Sequence, residues 1–207
     1  MNRMRVILTI LVFVFLTISA SGQEYGLRTK LIDESHTWRT VSSEQLDSFY
    51  FNLQPIQTTK YKSHIRISLT GQLIDFYSSG KETYFGRLTN FTTEYKTVKD
   101  TENDYVQRKA YKYDFEQVNL EQGLVDKMVK KLLTSGQPEI PTDTLIASWQ
   151  RTFVDCNSLV FQFYYNGRYT KQSFHCPWLQ NDSIKFKNVV LDNYQSLKST
   201  FQLDSPI

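Results

Sequence analysis

The clearest alternation of apolar and polar positions lies in the first third of the chain. Ile65, Ile67 and Leu69 alternate with His64, Arg66 and Ser68, the period-two pattern of a strand with one buried face. Thr70-Gly71 reads as a two-residue turn. Ile74 then falls opposite Ile67, Phe76 opposite Ile65 and Asp75 opposite Arg66. Apolar pairs on one side and an ion pair on the other agree on a single register, because a one-residue slip would turn every side chain over. Ser78-Ser79-Gly80-Lys81 is the next turn. A third strand is predicted over residues 82–97, with Gly86 as a bulge position. A polar turn over residues 100–104 leads into a fourth, where Tyr105, Tyr111, Tyr113 and Phe115 alternate with Arg108, Lys112, Asp114 and Glu116.

The period changes after Leu120. Positions 124, 125, 128, 129, 132 and 133 are apolar, which is helical spacing, and Gly136 with Pro138 ends the run. Thr142 is expected to cap a short helix presenting Leu145, Ile146 and Trp149. Leu159, Phe161 and Phe163 then alternate into Asn166-Gly167, a strong short hairpin signal. A last helix, capped by Asn181 or Asp182, carries Val190, Tyr194, Leu197 and Phe201 on one face. Earlier in the chain, Ser42 begins a capping-box pattern ahead of Leu46, Phe49, Tyr50 and Leu53, and Pro55 ends that helix. Strands in one run with helices before, between and after them predict an α+β domain. The expected architecture is a mostly antiparallel sheet of about six strands, a four-strand meander plus a C-terminal hairpin, with helices packed on one face.

The N-terminus has a different pattern. Arg3 and Arg5 precede an apolar run from Val6 to Ile18, and the small residues Ser19, Ala20, Ser21 and Gly22 follow. The run is short of the roughly 20 residues a membrane span needs, so residues 1–22 read as a signal peptide. Residues 23–207 are then a single exported domain, with 23–41 an extended lead-in. The expected location is extracytoplasmic, secreted or periplasmic, with no membrane span after cleavage.

Composition adds two points. The precursor carries 24 basic and 21 acidic residues. Arg3 and Arg5 leave with the signal, so the remainder is nearly neutral and offers no electrostatic footprint for nucleic acid. Aromatic residues make up 14% of the chain, and they concentrate in the alternating segments.

Signatures of catalysis and cofactor binding are missing: no phosphate-binding glycine loop, no GxSxG, no HExxH. No cofactor is expected, and three histidines in separate segments predict no metal site. His64, Ser68 and Asp75 share one face of the first hairpin and look like the parts of a hydrolytic triad. However, Ser68 lies four residues from His64 along a strand, roughly 13 Å away, whereas a nucleophile and its base must approach to about 3 Å. A solvated polar face with an Arg66–Asp75 pair is the expectation. The acidic run at 100–104 lacks the Gly and Glu of a calcium loop, having Tyr105 and Tyr111 in their places.

Cys156 and Cys176 are the only cysteines, and in an exported chain they are expected to form a disulfide rather than a Cys156–His175 catalytic pair. A strict two-residue turn sets Cys176 opposite Asn157, so joining the sulfurs requires the strand ends to fray, a bulge or a longer turn. Tyr164 and Tyr169 should lie side by side with Gln162 and Lys171 next to them. Were that face open, it would suit a sugar ring or a protein partner; were it covered, the same residues would be core. The resulting expectation is a non-catalytic binding module for a protein, glycan or small-molecule partner. The alternatives are an exported hydrolase whose site converges from distant segments, and a structural envelope component.

Overall fold

The computed structural model describes residues 25–31, 53, 55–80, 83–99, 106–153 and 156–203. The expected signal peptide, the helix expected from Ser42 and the turn expected at 100–104 fall on residues outside those described.

Among the described residues, seven antiparallel strands form one sheet. In chain order they are β1 (Tyr25–Leu31), β2 (Ser63–Leu69), β3 (Gln72–Ser78), β4 (Phe85–Lys99), β5 (Val106–Leu120), β6 (Ser158–Tyr165) and β7 (Arg168–His175), arranged β1-β5-β4-β3-β2-β6-β7. Two helices among the described residues, α1 (Gln122–Thr134) and α2 (Lys187–Phe201), cover one face. The α+β class, the meander and the C-terminal hairpin are as the pattern implies. The seventh strand comes from the lead-in, where Lys30 pairs with Tyr113 on β5.

The first hairpin has the expected register, with Ile65 opposite Phe76, Arg66 opposite Asp75 and Ile67 opposite Ile74. Those four apolar side chains are fully buried beneath the helices, together with Phe161, Phe163, Phe174 and Leu159 from the last hairpin. The helices contribute Val125, Met128, Val129 and Leu132 from α1, and Val190, Tyr194 and Leu197 from α2. At the last turn Asn166 and Gly167 both have positive φ, 52° and 74°, and Tyr165 pairs with Arg168. These backbone angles explain the Asn-Gly sequence.

Three local expectations are corrected. Gly86 is not a bulge: it pairs regularly with Phe76 and Leu120, and the irregularity falls between Glu94 and Tyr95. Gly86 is small because α1 packs directly on it, and a Cβ there would sit 2.4 Å from Val125 Cγ2. Thr142 caps no helix. Asp143–Leu145 is one 3-10 turn, and Thr142 Oγ1 instead bonds the backbone N–H and C=O of Ser173 on the outer edge of β7. Finally, α2 begins at Lys187 rather than after Asn181 or Asp182. Asn181 Oδ1 accepts the Ser183 N–H in a tight local turn instead.

Candidate functional site

Opposite the helices, the sheet presents its second set of side chains. Cross-strand pairing lines them up in rows. One row runs Asn119, Arg87, Asp75, Arg66, Gln162 and Lys171 across six strands. The neighbouring row runs Phe85, Tyr77, His64, Tyr164 and Tyr169. In the sequence, the polar face of the first hairpin and the aromatic pair of the last are separate features. Pairing of β2 with β6 makes them one surface.

The middle of the polar row is not solvated, contrary to expectation, although Asn119 and Lys171 at its ends are exposed. Arg66 and Asp75 are 2% and 1% exposed and Gln162 is 3% exposed, and His64 in the neighbouring row is 2% exposed. Part of the reason lies in residues 53–61, where Leu53 and Ile56 are buried and a 3-10 turn at Ile56–Thr58 packs on β2 and β6. Gln57 Nε2 donates to Tyr169 Oη at 3.3 Å, and Thr59 Oγ1 lies 3.2 Å from His64 Nδ1.

Asp75 is the centre of the network. Its Oδ1 accepts from His64 Nε2 and from Arg66 Nε, both at 2.8 Å. Burial pushes its pKa up, but the Arg66 charge and the His64 hydrogen bond outweigh that and bring it from 3.8 down to about 2. Three buried atoms in this row have no hydrogen-bond partner: Asp75 Oδ2, Arg87 Nε and Gln162 Oε1. Two acceptors and one donor left unsatisfied in one row are costly unless water or a ligand completes them.

His64 and Asp75 thus meet as a base and its orienting carboxylate would. Ser68 does not join them; the hydroxyl on the other ring nitrogen belongs to Thr59. Thr59 precedes the strand, in a segment without alternation, which is why no strand-based reading finds it.

Apart from the buried His64, the aromatic row is half-exposed. Tyr77, Tyr164 and Tyr169 are half-buried, Lys171 is exposed and Phe85 is 51% exposed. Tyr61 adds a ring 4.6 Å from Tyr77, and Tyr77 lies 6.1 Å from Phe85. Beside this strip is a groove of about 460 Å³ lined by Lys62, Ser78, Ser79, Gly80, Thr83 and Phe85. Of the four residues singled out in the sequence, Tyr164, Tyr169 and Lys171 therefore lie at its accessible margin and Gln162 beneath it.

Past the far ends of β6 and β7, Cys156 and Cys176 are joined by a disulfide, with Cα atoms 5.7 Å apart. Cys176 N–H bonds Asn157 O, the register a strict two-residue turn dictates, and both cysteines lie beyond the strand ends. Cys176 has left-handed backbone, φ 47°, immediately before Pro177, so the fraying that the bridge needs is present. No helix among the described residues is long and apolar enough to cross a membrane.

No known protein family, curated protein or solved structure matches the chain.

Proposed function

We propose that the chain is an exported, non-catalytic binding module, and that its ligand surface is the aromatic strip of Tyr61, Tyr77, Tyr164, Tyr169 and Phe85. The observation that supports this most is the strip's placement: half-exposed rings from four strands and from the loop before β2, beside the buried His64–Asp75–Arg66 network. Amphipathic rings with lysines at the margin suit a glycan, whose apolar ring face stacks while its hydroxyls hydrogen-bond. Export rests on the N-terminal pattern, and the disulfide agrees with it.

Titration of the protein against a panel of oligosaccharides, followed by tyrosine and tryptophan fluorescence, tests the reading. Binding should be found, and Tyr164→Ala and Tyr169→Ala should each weaken it at least roughly fivefold, since a buried aromatic contact contributes about 1 kcal/mol or more. A panel with no binder, or a binder indifferent to both substitutions, overturns it.

The Thr59–His64–Asp75 relay supports a second reading, that of a hydrolase. It is the weaker one. Asp75 shares its bonded oxygen with Arg66, His64 is buried, and Thr59 Oγ1 also accepts the Tyr61 N–H. Thr59→Val separates the two: it abolishes any esterase or glycosidase turnover if the relay is catalytic, and leaves glycan binding intact if it is structural.

A further inference from the structure

The disulfide has a third neighbour. His175, the last residue of β7, places Nε2 3.8 Å from Cys156 Sγ. One ligand atom from each of Cys156, His175 and Cys176 lies within 4.8 Å of the other two. Two sulfurs and an imidazole nitrogen at that spacing are a soft, three-membered donor set, which suits a thiophilic d10 ion better than a hard cation. We propose that Cys156, Cys176 and His175 form a Cu(I) site whenever the disulfide is open, so that the metal and the disulfide compete for the same two sulfurs. This inference is independent of the glycan reading, which concerns the opposite end of the hairpin.

The surroundings suit the exchange. Cys156 and His175 are half-buried, so the site can be reached from solvent, while Cys176 is fully buried and anchors it. His175 is held from its backbone, where its N–H donates to Asp143 Oδ2 at 2.8 Å. With the disulfide closed, its Nε2–H donates to Phe153 O at 2.9 Å, and Ser158 Oγ stands 3.4 Å from Nδ1. A dithiol reductant opens the bridge: the S–S bond breaks, two thiols form, and the reductant closes its own disulfide. Cu(I) then displaces both thiol protons to solvent. The ring proton of His175 is transferred from Nε2 to Nδ1, where Ser158 Oγ accepts it, and Nε2 is left with a lone pair for the metal. Metal-bound imidazoles generally donate their second nitrogen in this way.

The test uses the whole protein, reduced with a dithiol under argon, freed of reductant and titrated with Cu(I) against a chromophoric competitor. One Cu(I) per chain is expected, with X-ray absorption showing two sulfur neighbours and one nitrogen. Untreated protein should not compete. His175→Ala should lose the nitrogen neighbour, and Ser158→Ala should weaken binding by roughly 10-fold, the usual cost of removing an outer-shell partner. The proposal is overturned if reduced and untreated protein bind alike, or if the absorption spectrum has sulfur only and ignores His175→Ala. A reduced chain that unfolds and is not refolded by Cu(I) overturns it equally.

Discussion

Asp75 and Gly86 show how much one position can depend on what packs over it. Asp75 carries its charge inside the sheet because Arg66 and His64 both reach the same carboxylate oxygen. Asp75→Ala leaves the Arg66 guanidinium buried without that partner, and should destabilise the protein by about 3–5 kcal/mol in chemical denaturation. Had the pair been solvated, the loss would be about 0–1 kcal/mol. The same carboxylate sets an acid limit. Its pKa in the folded state is depressed, so its contribution is present above the unfolded value of 3.8 and is lost as pH falls towards about 2. Denaturation midpoints should therefore drop across that window, and Asp75→Asn should flatten the drop. At Gly86 the backbone is an ordinary strand and the restriction is purely one of space. Gly86→Ala should lower stability by about 1–3 kcal/mol through overpacking against Val125, and Val125→Ala in the same chain should recover part of it. A Gly86→Ala protein as stable as the parent would exclude close packing of α1 on β4.

Among the elements, what could be read from sequence follows from where each element's partner lies. The β2–β3 register was legible because Ile65, Ile67, Ile74 and Phe76 must all face one way, and the Asn-Gly turn fixed β6 on β7 for a similar local reason. The burial of Arg66 and Asp75 was not. Alternating polar residues look the same whether water or another segment covers them, and residues 55–61, which contribute to the cover, have no periodicity to announce it. Gln172 shows the converse. It sits on the helix face of β7, 2% exposed, where alternation calls for an apolar residue. Its amide donates to the carbonyls of Gln137 and Ile140, at 2.8 and 2.6 Å, and its Oε1 accepts from Gln137 Nε2. The connection after α1 turns its carbonyls inward, and Gln172 satisfies them. Gln172→Leu should thus destabilise despite its greater hydrophobicity, by about 1–3 kcal/mol for the stranded carbonyls. A more stable Gln172→Leu protein would contradict that account. The functional strip was half legible for the same reason: Tyr164 and Tyr169 stood out in their hairpin, but Tyr61, Tyr77 and Phe85 join them only through the β2–β6 pairing.

At the scale of the whole molecule, that pairing has a further consequence. β2 lies between β3, its sequence neighbour, and β6, which follows about a hundred residues later; Ile67 pairs with Ile74 on one side and with Phe161 on the other. Until the C-terminal hairpin arrives, β2 is an open edge carrying Ile65, Ile67 and Leu69 on one face. Such an edge is a template for any strand of matching pattern. A chain cut short before Ser158 should aggregate, and a full chain refolding at high concentration has a ready wrong answer, in which the β6–β7 hairpin of one copy completes the sheet of another. Such exchange yields dimers with native side-chain contacts. The late, long-range closure also makes folding slow for a domain of this size, since the loop entropy is lost before the β2–β6 contacts compensate. For a chain made from its N-terminus, the hairpin that protects that edge is complete only after β1 to β5 and α1 have already been made.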